Sequence, residues 1–411
     1  MENKYKFGLL IISVLWAIIF TNLLQLSCNF TTAGDEGSYL SAAKKLYFNL
    51  QIDEARPLIF AAITGVPFLF GCAEKWIFYW IFVVNFICWL IIVLLIFDFS
   101  KSKIGIKRAF TSALIFIFCL GNLAIVFELL SESVFILFLL LTVFQLDKFL
   151  LSKKIFNLTL ALTFLSLSIL IKPVALYLFI GFFLFYIRHL LKILTNKYSL
   201  YLFMSCLLLF MQMWTLRKNY GDFTVSYITP FTYYNYLGSR AQSLKDNTVF
   251  EQGKGKRYTD FCKLSNTEQS KVAKEDLKKQ LTTNTLNLAY SLVINLTNNS
   301  SKGSVTISES ENIEDYHFYY EIKFLFKAIS KAQNIFLSLA GILLSIHIIF
   351  INKKAPFIYK FISVLVLYII ILSAISSDQG DRFHIVTVPF VVIMIFYELS
   401  SKKNEVKKQC D

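Results

Sequence analysis

Two adjacent carboxylates, Asp35 and Glu36, follow the first long hydrophobic stretch of the chain, within the run Gly34-Asp35-Glu36-Gly37-Ser38-Tyr39. A helical pattern of apolar residues continues after them. Carboxylates favour the N-terminus of a helix, where the backbone dipole is positive, so the pair has a purely structural explanation. A helix N-terminus beside a membrane span can also hold a carboxylate in a fixed orientation for chemistry, and both interpretations stay open here.

Two basic residues next to prolines are the next candidates. Arg56-Pro57 lies about twenty residues after the acidic pair. An arginine at a membrane surface either extends toward the headgroups or binds a lipid phosphate, because its guanidinium matches phosphate oxygens. Lys172-Pro173 separates two short hydrophobic stretches, which predicts a lysine near or below the headgroup level, and a charge at that depth indicates a functional site.

Three further polar residues lie next to predicted spans. Glu132, in Ser131-Glu132-Ser133, begins one span, where a serine cap and the helix dipole give it a strong structural explanation. Arg382 and His384 precede the last span, in a loop that would be polar in any case. The chain contains 7 cysteines but no CxxC pair and no HExxH spacing, so neither a redox pair nor a metal centre is predicted.

Long apolar stretches position these residues. The chain has 411 residues, of which 56% are hydrophobic, and this composition predicts an all-α integral membrane protein. Ten spans are predicted, at about 7–27, 76–97, 109–127, 132–147, 155–171, 174–188, 199–216, 332–351, 357–375 and 384–398. The apolar stretch 57–72 is short for a span, and a crossing there would invert every later loop. It is therefore predicted to be a helix at the outer membrane interface.

The net charge of +14 is distributed in short basic clusters between the spans. Such clusters mark cytoplasmic loops, which predicts that both termini are cytoplasmic and argues against a nucleic-acid partner. Two large loops then face outward: 28–75, within an N-terminal membrane module 1–216, and 217–331, before C-terminal helices and a tail at 332–411. Within the second loop, Thr267 to Leu281 is predicted to be an amphipathic helix, and Ser300 to Glu314 a flexible polar loop.

The order of these motifs resembles a known family. Asp35-Glu36-x-x-Tyr39, Arg56-Pro57 before an interfacial helix ending at Phe70-Gly71, and Ser131-Glu132-Ser133 together resemble the GT-C fold integral membrane glycosyltransferases. The bacterial enzymes related to protein O-mannosyltransferases and to the aminoarabinose transferase of lipid A are the most similar groups. Further similar stretches are Ile171-Lys172-Pro173, the run from Trp214 to Phe223, and Arg382 with Pro389.

This resemblance implies a bacterial inner-membrane enzyme that takes a sugar from a polyprenyl phosphate, with inversion at the anomeric carbon. It implies that Asp35 is the general base, while Glu36 and Glu132 orient the base or the acceptor. The donor phosphate would be held by Arg56, Lys172 and Arg382. Tyr39 and His384 are placed on the acceptor side, and the acceptor is a lipid, a glycan or a protein. The resemblance leaves open whether a divalent metal joins Asp35.

Two other functions are weighed against this one. A polysaccharide polymerase of the O-antigen type also has many spans, a large outer loop and lipid-linked substrates, and it relies on arginines in outer loops. A flippase or transporter often has repeated halves and charges at the bilayer midplane. The chain shows no internal repeat, and its candidate charges gather at one membrane face, so the sequence favours the transferase.

Overall fold

The computed structural model describes residues 2–28, 34–377 and 379–410, with side chains described as far as 401. Every regular element in this part of the chain is helical. The N-terminal half contains α-helices at Glu2–Leu24, Glu36–Asn49, Leu58–Thr64, Lys75–Ile104, Ile106–Ile117, Leu120–Ala124, Glu132–Ser152, Ile155–Ile169, Ala175–Phe185, Leu190–Leu194 and Ser199–Tyr220, with 3-10 turns at Val66–Phe70, Ile125–Phe127 and Ile187–His189.

Five helices in the described residues are long and apolar enough to cross a membrane, or seven if each of two bent pairs forms one span. The five are Glu2–Leu24, Lys75–Ile104, Glu132–Ser152, Ser199–Tyr220 and Tyr319–Ile351. The other predicted spans coincide with the bent pairs or with shorter apolar helices. The chain is therefore a multi-pass α-helical membrane protein, and ten crossings stay a prediction.

One bent pair has a clear cause. The helices Ile106–Ile117 and Leu120–Phe127 meet at 63°, where a single straight span was predicted. The Gln333 side chain accepts a hydrogen bond from Leu120 N and donates one to Phe118 O, each at 2.9 Å. These bonds satisfy backbone groups that the break removes from the helical ladder, so the broken segment is tolerated inside the bundle.

The loop 28–75, which is predicted to face outward and is called the first outer loop on that basis, forms the predicted helices. Glu36–Asn49 carries the polar segment, and Leu58–Thr64 followed by Val66–Phe70 occupies the predicted interfacial stretch. Pro57 has φ −65° and ψ 155°, which suits the residue before a helix start. The following backbone is tied to membrane helices, because Leu58 N donates to Gln212 Oε1 at 2.9 Å and Ile59 N to Leu170 O at 3.0 Å.

The loop 217–331, called the second outer loop from its predicted orientation, is also helical, and it packs on the membrane helices. Its helices are Ile228–Thr232, Ser239–Lys245, Gly255–Cys262, Asn266–Thr283, Thr285–Ser301 and Val305–Glu309, with a π-helical turn at Tyr233–Gly238. The helix predicted at 267–281 is confirmed as Asn266–Thr283, which begins with a capping box at Ser265 and Glu268. Asn295 and Asn299 donate to Ala374 O and Ser373 O at 2.9 and 3.0 Å, which joins the loop to the bundle.

One prediction about this loop's end was wrong. The stretch 300–314 contains the helix Val305–Glu309, whose Ile307 is fully buried, so it is not a flexible loop throughout. The span predicted at 332–351 lies within a longer helix that begins at Tyr319, with Phe326 and Ser330 buried. The C-terminal helices are Tyr319–Ile346, Phe357–Ser373 and Val388–Cys410, with a π turn at His347–Ile351 and a 3-10 turn at Ile385–Thr387.

Candidate active site

Asp35 lies just before the Glu36–Asn49 helix, but it does not cap it, because its side chain makes no hydrogen bond to the helix N-terminus. Its two carboxylate oxygens instead pair with two arginines. Oδ1 accepts from Arg56 Nη2, and Oδ2 accepts from Arg382 Nη1 at 2.6 Å. Burial alone would raise the pKa of Asp35, but the charges and hydrogen bonds of Arg382 and Arg56 hold it well below its usual range.

Local structure fixes Arg56. Asp53 Oδ1 accepts hydrogen bonds from the backbone N of Ala55 at 2.9 Å and of Arg56 at 2.8 Å, which forms a tight turn. The Arg56 side chain is 8% exposed, its Nε donates to Ser38 Oγ at 2.9 Å, and its guanidinium lies 4.3 Å from the Tyr39 ring centre. The arginine is therefore held in a defined direction and does not extend freely to the headgroups.

Glu132 connects the other two predicted cations. Its Oε1 accepts from Lys172 Nζ at 2.6 Å and from Arg382 Nε, and the side chain is fully buried. The expected serine cap is absent, because Ser131 Oγ hydrogen-bonds Tyr39 OH at 2.9 Å and not the helix N-terminus. Glu132 is therefore the counter-ion of Lys172 and Arg382, while Ser131 ties the start of its helix to the first outer loop.

These groups come from segments that are far apart in the sequence. Asn85 Nδ2 donates to Glu128 O at 3.1 Å and to Leu130 O at 3.3 Å, which fixes the turn before Glu132. Lys172 lies in the turn between two short helices, as predicted, and its backbone N donates to Ser168 O at 2.9 Å. Three cations and two carboxylates thus form one cluster, which we call the charged cluster: Asp35, Arg56, Glu132, Lys172 and Arg382. Its formal charge is +1.

The charged cluster borders a cavity of about 300 Å³, the large cavity. Asp35, Arg56, Lys172 and Arg382 line its polar part. Apolar side chains from several helices line the rest, including Phe135, Ile171, Val174, Tyr177, Ile369, Leu372, Phe383 and Val386. Residues of the second outer loop also line it, namely Ile228, Thr229, Phe231, Thr232 and Tyr236. The large cavity therefore offers cations to an anion and an apolar surface to a chain or ring attached to it.

Two predicted residues lie elsewhere. Glu36 is 3% exposed, and its Oε2 accepts from Gly34 N at 2.9 Å. It does not line the large cavity. His384 is 2% exposed, its Nδ1 contacts Ser338 Oγ at 2.6 Å and its Nε2 contacts Ser373 Oγ at 2.9 Å. His384 is also absent from the cavity lining, because its ring is turned into the helix bundle, so the described side chains place it away from an acceptor in that cavity.

The arrangement does not suit a divalent metal at Asp35. Both carboxylate oxygens already accept from guanidinium groups, and a metal would have to lie between two arginines. Within the described residues, no group of three or more His, Cys, Asp or Glu side chains is placed to hold a metal ion. The cluster's formal charge of +1 suits an anion better than a cation.

Sequence reasoning overlooked several residues at this site. Ser38 and Ser131 hold Arg56 and Tyr39, yet each resembles an ordinary helix-start serine. Thr229, Thr232 and Tyr236 face the large cavity from a loop with no recognisable motif. The only sequence signal for the serines was their position inside the two acidic motifs.

In comparisons with known proteins, no protein-family model and no curated protein matches the chain.

Proposed function

We propose that the protein is a membrane glycosyltransferase that moves a sugar from a polyprenyl-phosphate donor to an acceptor hydroxyl, with inversion and with Asp35 as general base. The observation that carries the proposal is Asp35 at the border of the large cavity, between Arg56 and Arg382. A base and a phosphate site then lie side by side, as attack on a sugar phosphate requires. The proposal includes ten spans, cytoplasmic termini, an outward-facing site and a bacterial inner membrane.

The charge of the cluster supports this donor class. A sugar joined to a polyprenyl phosphate is a phosphodiester with one negative charge, which balances the cluster's formal charge of +1. When the glycosidic C–O bond breaks, the leaving phosphate becomes a monoester and gains a second negative charge. Arg56, Lys172 and Arg382 stabilise that developing charge, which is where positive charge lowers the barrier.

The donor also changes the state of Asp35. Without an anion, Asp35 accepts hydrogen bonds from both arginines, and its low pKa makes it a weak base. A phosphate bound by Arg56 and Arg382 competes for the same N–H donors and weakens those bonds. Asp35 then becomes more basic, and its carboxylate accepts the acceptor's hydroxyl proton as the acceptor oxygen bonds to the anomeric carbon.

The second candidate is the polysaccharide polymerase, and the observation that supports it is the presence of two arginines at the large cavity. Its usual donors carry a pyrophosphate diester with two negative charges, which leaves one charge uncompensated at the charged cluster. Asp35 would then have no role as a base. The two functions therefore differ in the donor they accept and in the effect of removing the Asp35 charge.

The test uses purified protein in liposomes with a panel of polyprenyl-phosphate sugars and pyrophosphate-linked oligosaccharides, followed by mass spectrometry of the lipids. Release of polyprenyl phosphate from one monophosphate donor is expected. Asp35→Asn should lower turnover by about 10²- to 10⁴-fold, the range typical of general-base loss. Asp260→Asn is the matched control, because Asp260 is exposed and pairs with Lys263 at 3.4 Å on the surface. Full activity of Asp35→Asn, or turnover of pyrophosphate donors alone, contradicts the proposal.

The outward orientation has its own test. Cys262 is exposed in the second outer loop. In a variant that keeps only this cysteine, a membrane-impermeant thiol reagent added to intact cells should label it. A single cysteine placed at Ser102, in a predicted cytoplasmic loop, should be protected. The reverse pattern would turn the site to the cytoplasm and exclude the proposed topology.

A further inference from the structure

A second, much smaller cavity of about 20 Å³ lies inside the helix bundle, and we call it the small cavity. Asp381, Asn122, Ser330, Ser338 and His384 line it. A space of this size accommodates one water molecule, provided that polar partners are available. Asn122 is 1% exposed and its Oδ1 has no hydrogen-bond partner among the described residues, so a polar occupant is expected.

Asp381 is the acid of the small cavity. It is 5% exposed, and the residues that line the cavity from the neighbouring elements include no lysine or arginine. The titratable groups around it are His384, on its own loop, and Cys119, at the break before Leu120. Burial raises the pKa of Asp381 to about 7, and a hydrogen bond from Ser330, which lowers the pKa, offsets this rise only in part. A neutral and an ionised Asp381 are therefore both accessible near neutral pH.

His384 joins the two cavities. Its Nδ1 contacts Ser338 Oγ, which lines the small cavity, at 2.6 Å. Its Nε2 contacts Ser373 Oγ, which lines the large cavity, at 2.9 Å. Burial lowers the pKa of His384 to about 4, so the ring is neutral at pH 7, with one nitrogen that donates and one that accepts.

The serines indicate which nitrogen donates. Ser373 Oγ donates to Ile370 O at 2.6 Å, so it accepts from His384 Nε2–H. The Ser338 hydroxyl can donate to Asn334 Oδ1 at 3.2 Å or to His384 Nδ1 at 2.6 Å. The shorter contact favours His384, whose Nδ1 then accepts from Ser338. All hydrogen bonds from Ser338 through His384 to Ser373 point in one direction, toward the large cavity, as a proton relay requires.

We propose that the small cavity holds one water molecule, and that this water, Ser338, His384 and Ser373 form a proton path between Asp381 and the large cavity. In one passage Asp381 gives its proton to the water, the water gives one to Ser338, and Ser338 gives one to His384 Nδ1. His384 gives its Nε2 proton to Ser373, whose own hydroxyl proton turns away from Ile370 O and passes to an acceptor in the large cavity. Asp381 is left ionised, His384 is left in the other tautomer, and the acceptor in the large cavity gains one positive charge. The reverse passage returns a proton to Asp381.

The path gives His384 and Asp381 a role that the transfer reaction does not require of them. If the protein is a glycosyltransferase, the acceptor proton leaves Asp35 in the large cavity, and the reverse passage carries it to an ionised Asp381 as a buried acceptor. That use depends on the proposed function, but the path itself does not. A test without substrate therefore separates the two.

The test is infrared difference spectroscopy of the full-length protein in liposomes, stepped in pH and prepared with ¹³C-carboxyl aspartate. The label separates the aspartates from Glu128, whose pKa burial also raises, to about 8. One labelled carboxylic acid band should titrate with a midpoint near pH 7 and be absent in Asp381→Asn. A band that is missing from the wild-type protein, or that Asp381→Asn retains, overturns the proposal.

The path is tested by transfer into D₂O, which shifts the same band as Asp381 exchanges its proton. Ser338→Ala and Ser373→Ala each remove one hydroxyl of the path and should slow this exchange several-fold. Ser345→Ala is the matched control, because Ser345 is buried on the same helix as Ser338, and within the described residues its hydroxyl donates to Met394 Sδ, at 3.9 Å, and not to a residue of the path. Exchange that is as fast in both path variants as in the control shows that the proton reaches Asp381 by another route, and overturns the path.

Discussion

Asp35 and Asp381 lie at the same end of the bundle, since Arg382 pairs with the first and is the chain neighbour of the second. Burial acts on both in the same direction, yet their pKa values move oppositely. Two guanidinium groups hold the pKa of Asp35 well below its usual range, whereas Asp381 has no cation in its cavity and its pKa rises to about 7. The partners of a buried acid, and not its burial, therefore decide whether it stays ionised.

The same contrast separates two glutamates. Glu132 carries Lys172 and Arg382 on one carboxylate oxygen, while Glu128 has the Thr306 hydroxyl as its hydrogen-bond donor and a pKa raised to about 8. The charged cluster is thus an ionic region with an excess of one positive charge, and next to it lies a region of buried neutral acids. The first suits binding of an anion, and the second suits storage of a proton.

Removing Arg382 should have the largest effect on the difference between the ionic and the neutral region. Arg382→Met leaves Asp35 and Glu132 short of one cation, and breaking a buried ion pair in this way costs about 3–5 kcal/mol of stability. The apparent unfolding midpoint in detergent should fall, and binding of polyprenyl phosphate should be lost. Arg257→Met is the control, because Arg257 pairs with Asp276 away from the large cavity, and it should retain lipid binding. Equal lipid binding by both variants would remove Arg382 from the phosphate site.

The pH dependence of stability tests the neutral region. The pKa of Asp381 is about 7 in the folded protein and near 3.8 when unfolded, so the folded protein binds more protons between these values. Its contribution to stability is complete below the unfolded pKa and falls as pH rises toward 7, by about 1.4 kcal/mol per pH unit. The unfolding midpoint should therefore decrease between about pH 5 and 7.

Asp381→Asn should flatten this decrease, whereas Glu128→Gln, which removes the other raised carboxyl, should leave the Asp381 part in place. Both acids lower the stability of the fold as pH rises, so the wild-type curve contains their sum. The difference between wild type and each variant isolates the contribution of one acid. Asp35 acts with the opposite sign, since its depressed pKa supplies stability that is lost only at acidic pH. An unchanged slope in Asp381→Asn would show that Asp381 is ionised in the folded protein.

A methyl group at Gly121 tests the small cavity without touching the charged cluster. A Cβ at this position would lie against the Asp381 carboxyl, so Gly121→Ala should cost about 1–3 kcal/mol through overpacking. Donor binding at the large cavity should be unchanged. Gly181→Ala is the control, because nothing lies within 4 Å of its added Cβ. Equal unfolding midpoints for the two variants would contradict the packing at Asp381.

The smallest expected effect comes from Lys172. Lys172→Gln leaves Glu132 paired with Arg382, so the fold should persist, while the positive excess of the cluster disappears. Binding of polyprenyl phosphate should weaken about tenfold, which corresponds to about 1.4 kcal/mol. Lys103→Gln, which breaks a comparable pair with Asp147 at 2.8 Å outside the large cavity, should bind normally. Unchanged affinity in Lys172→Gln would show that Lys172 serves only as the counter-ion of Glu132 and does not bind the phosphate.

Sequence reasoning predicted much of the charged cluster. Helix order and the common side of the loops bring Asp35, Arg56, Lys172 and Arg382 to one end, because short loops leave helices few ways to pack. The same reasoning placed Glu132 in this layer. Which oxygen pairs with which cation was not predictable, since this depends on side-chain directions set by packing.

The neutral region was not predictable for a different reason. Asp381 looked like one more polar residue in a loop, and nothing in its neighbourhood along the chain shows that Asn122 and Ser330 surround it. His384 was assigned to the acceptor side because Arg382 lies two residues earlier, but two residues are enough to turn a side chain from the large cavity into the bundle.

The charged cluster draws its members from positions 35, 56, 132, 172 and 382, and this order matters for biosynthesis. A nascent chain inserted as far as the Ser199–Tyr220 helix contains Asp35, Arg56, Glu132 and Lys172, two cations and two carboxylates that neutralise one another. The cluster gains its net positive charge only when Arg382 is synthesised and inserted with the last helices. The incomplete cluster of a partly translated chain therefore has no net charge, and under the proposed function it acquires its affinity for an anionic lipid only when synthesis is complete.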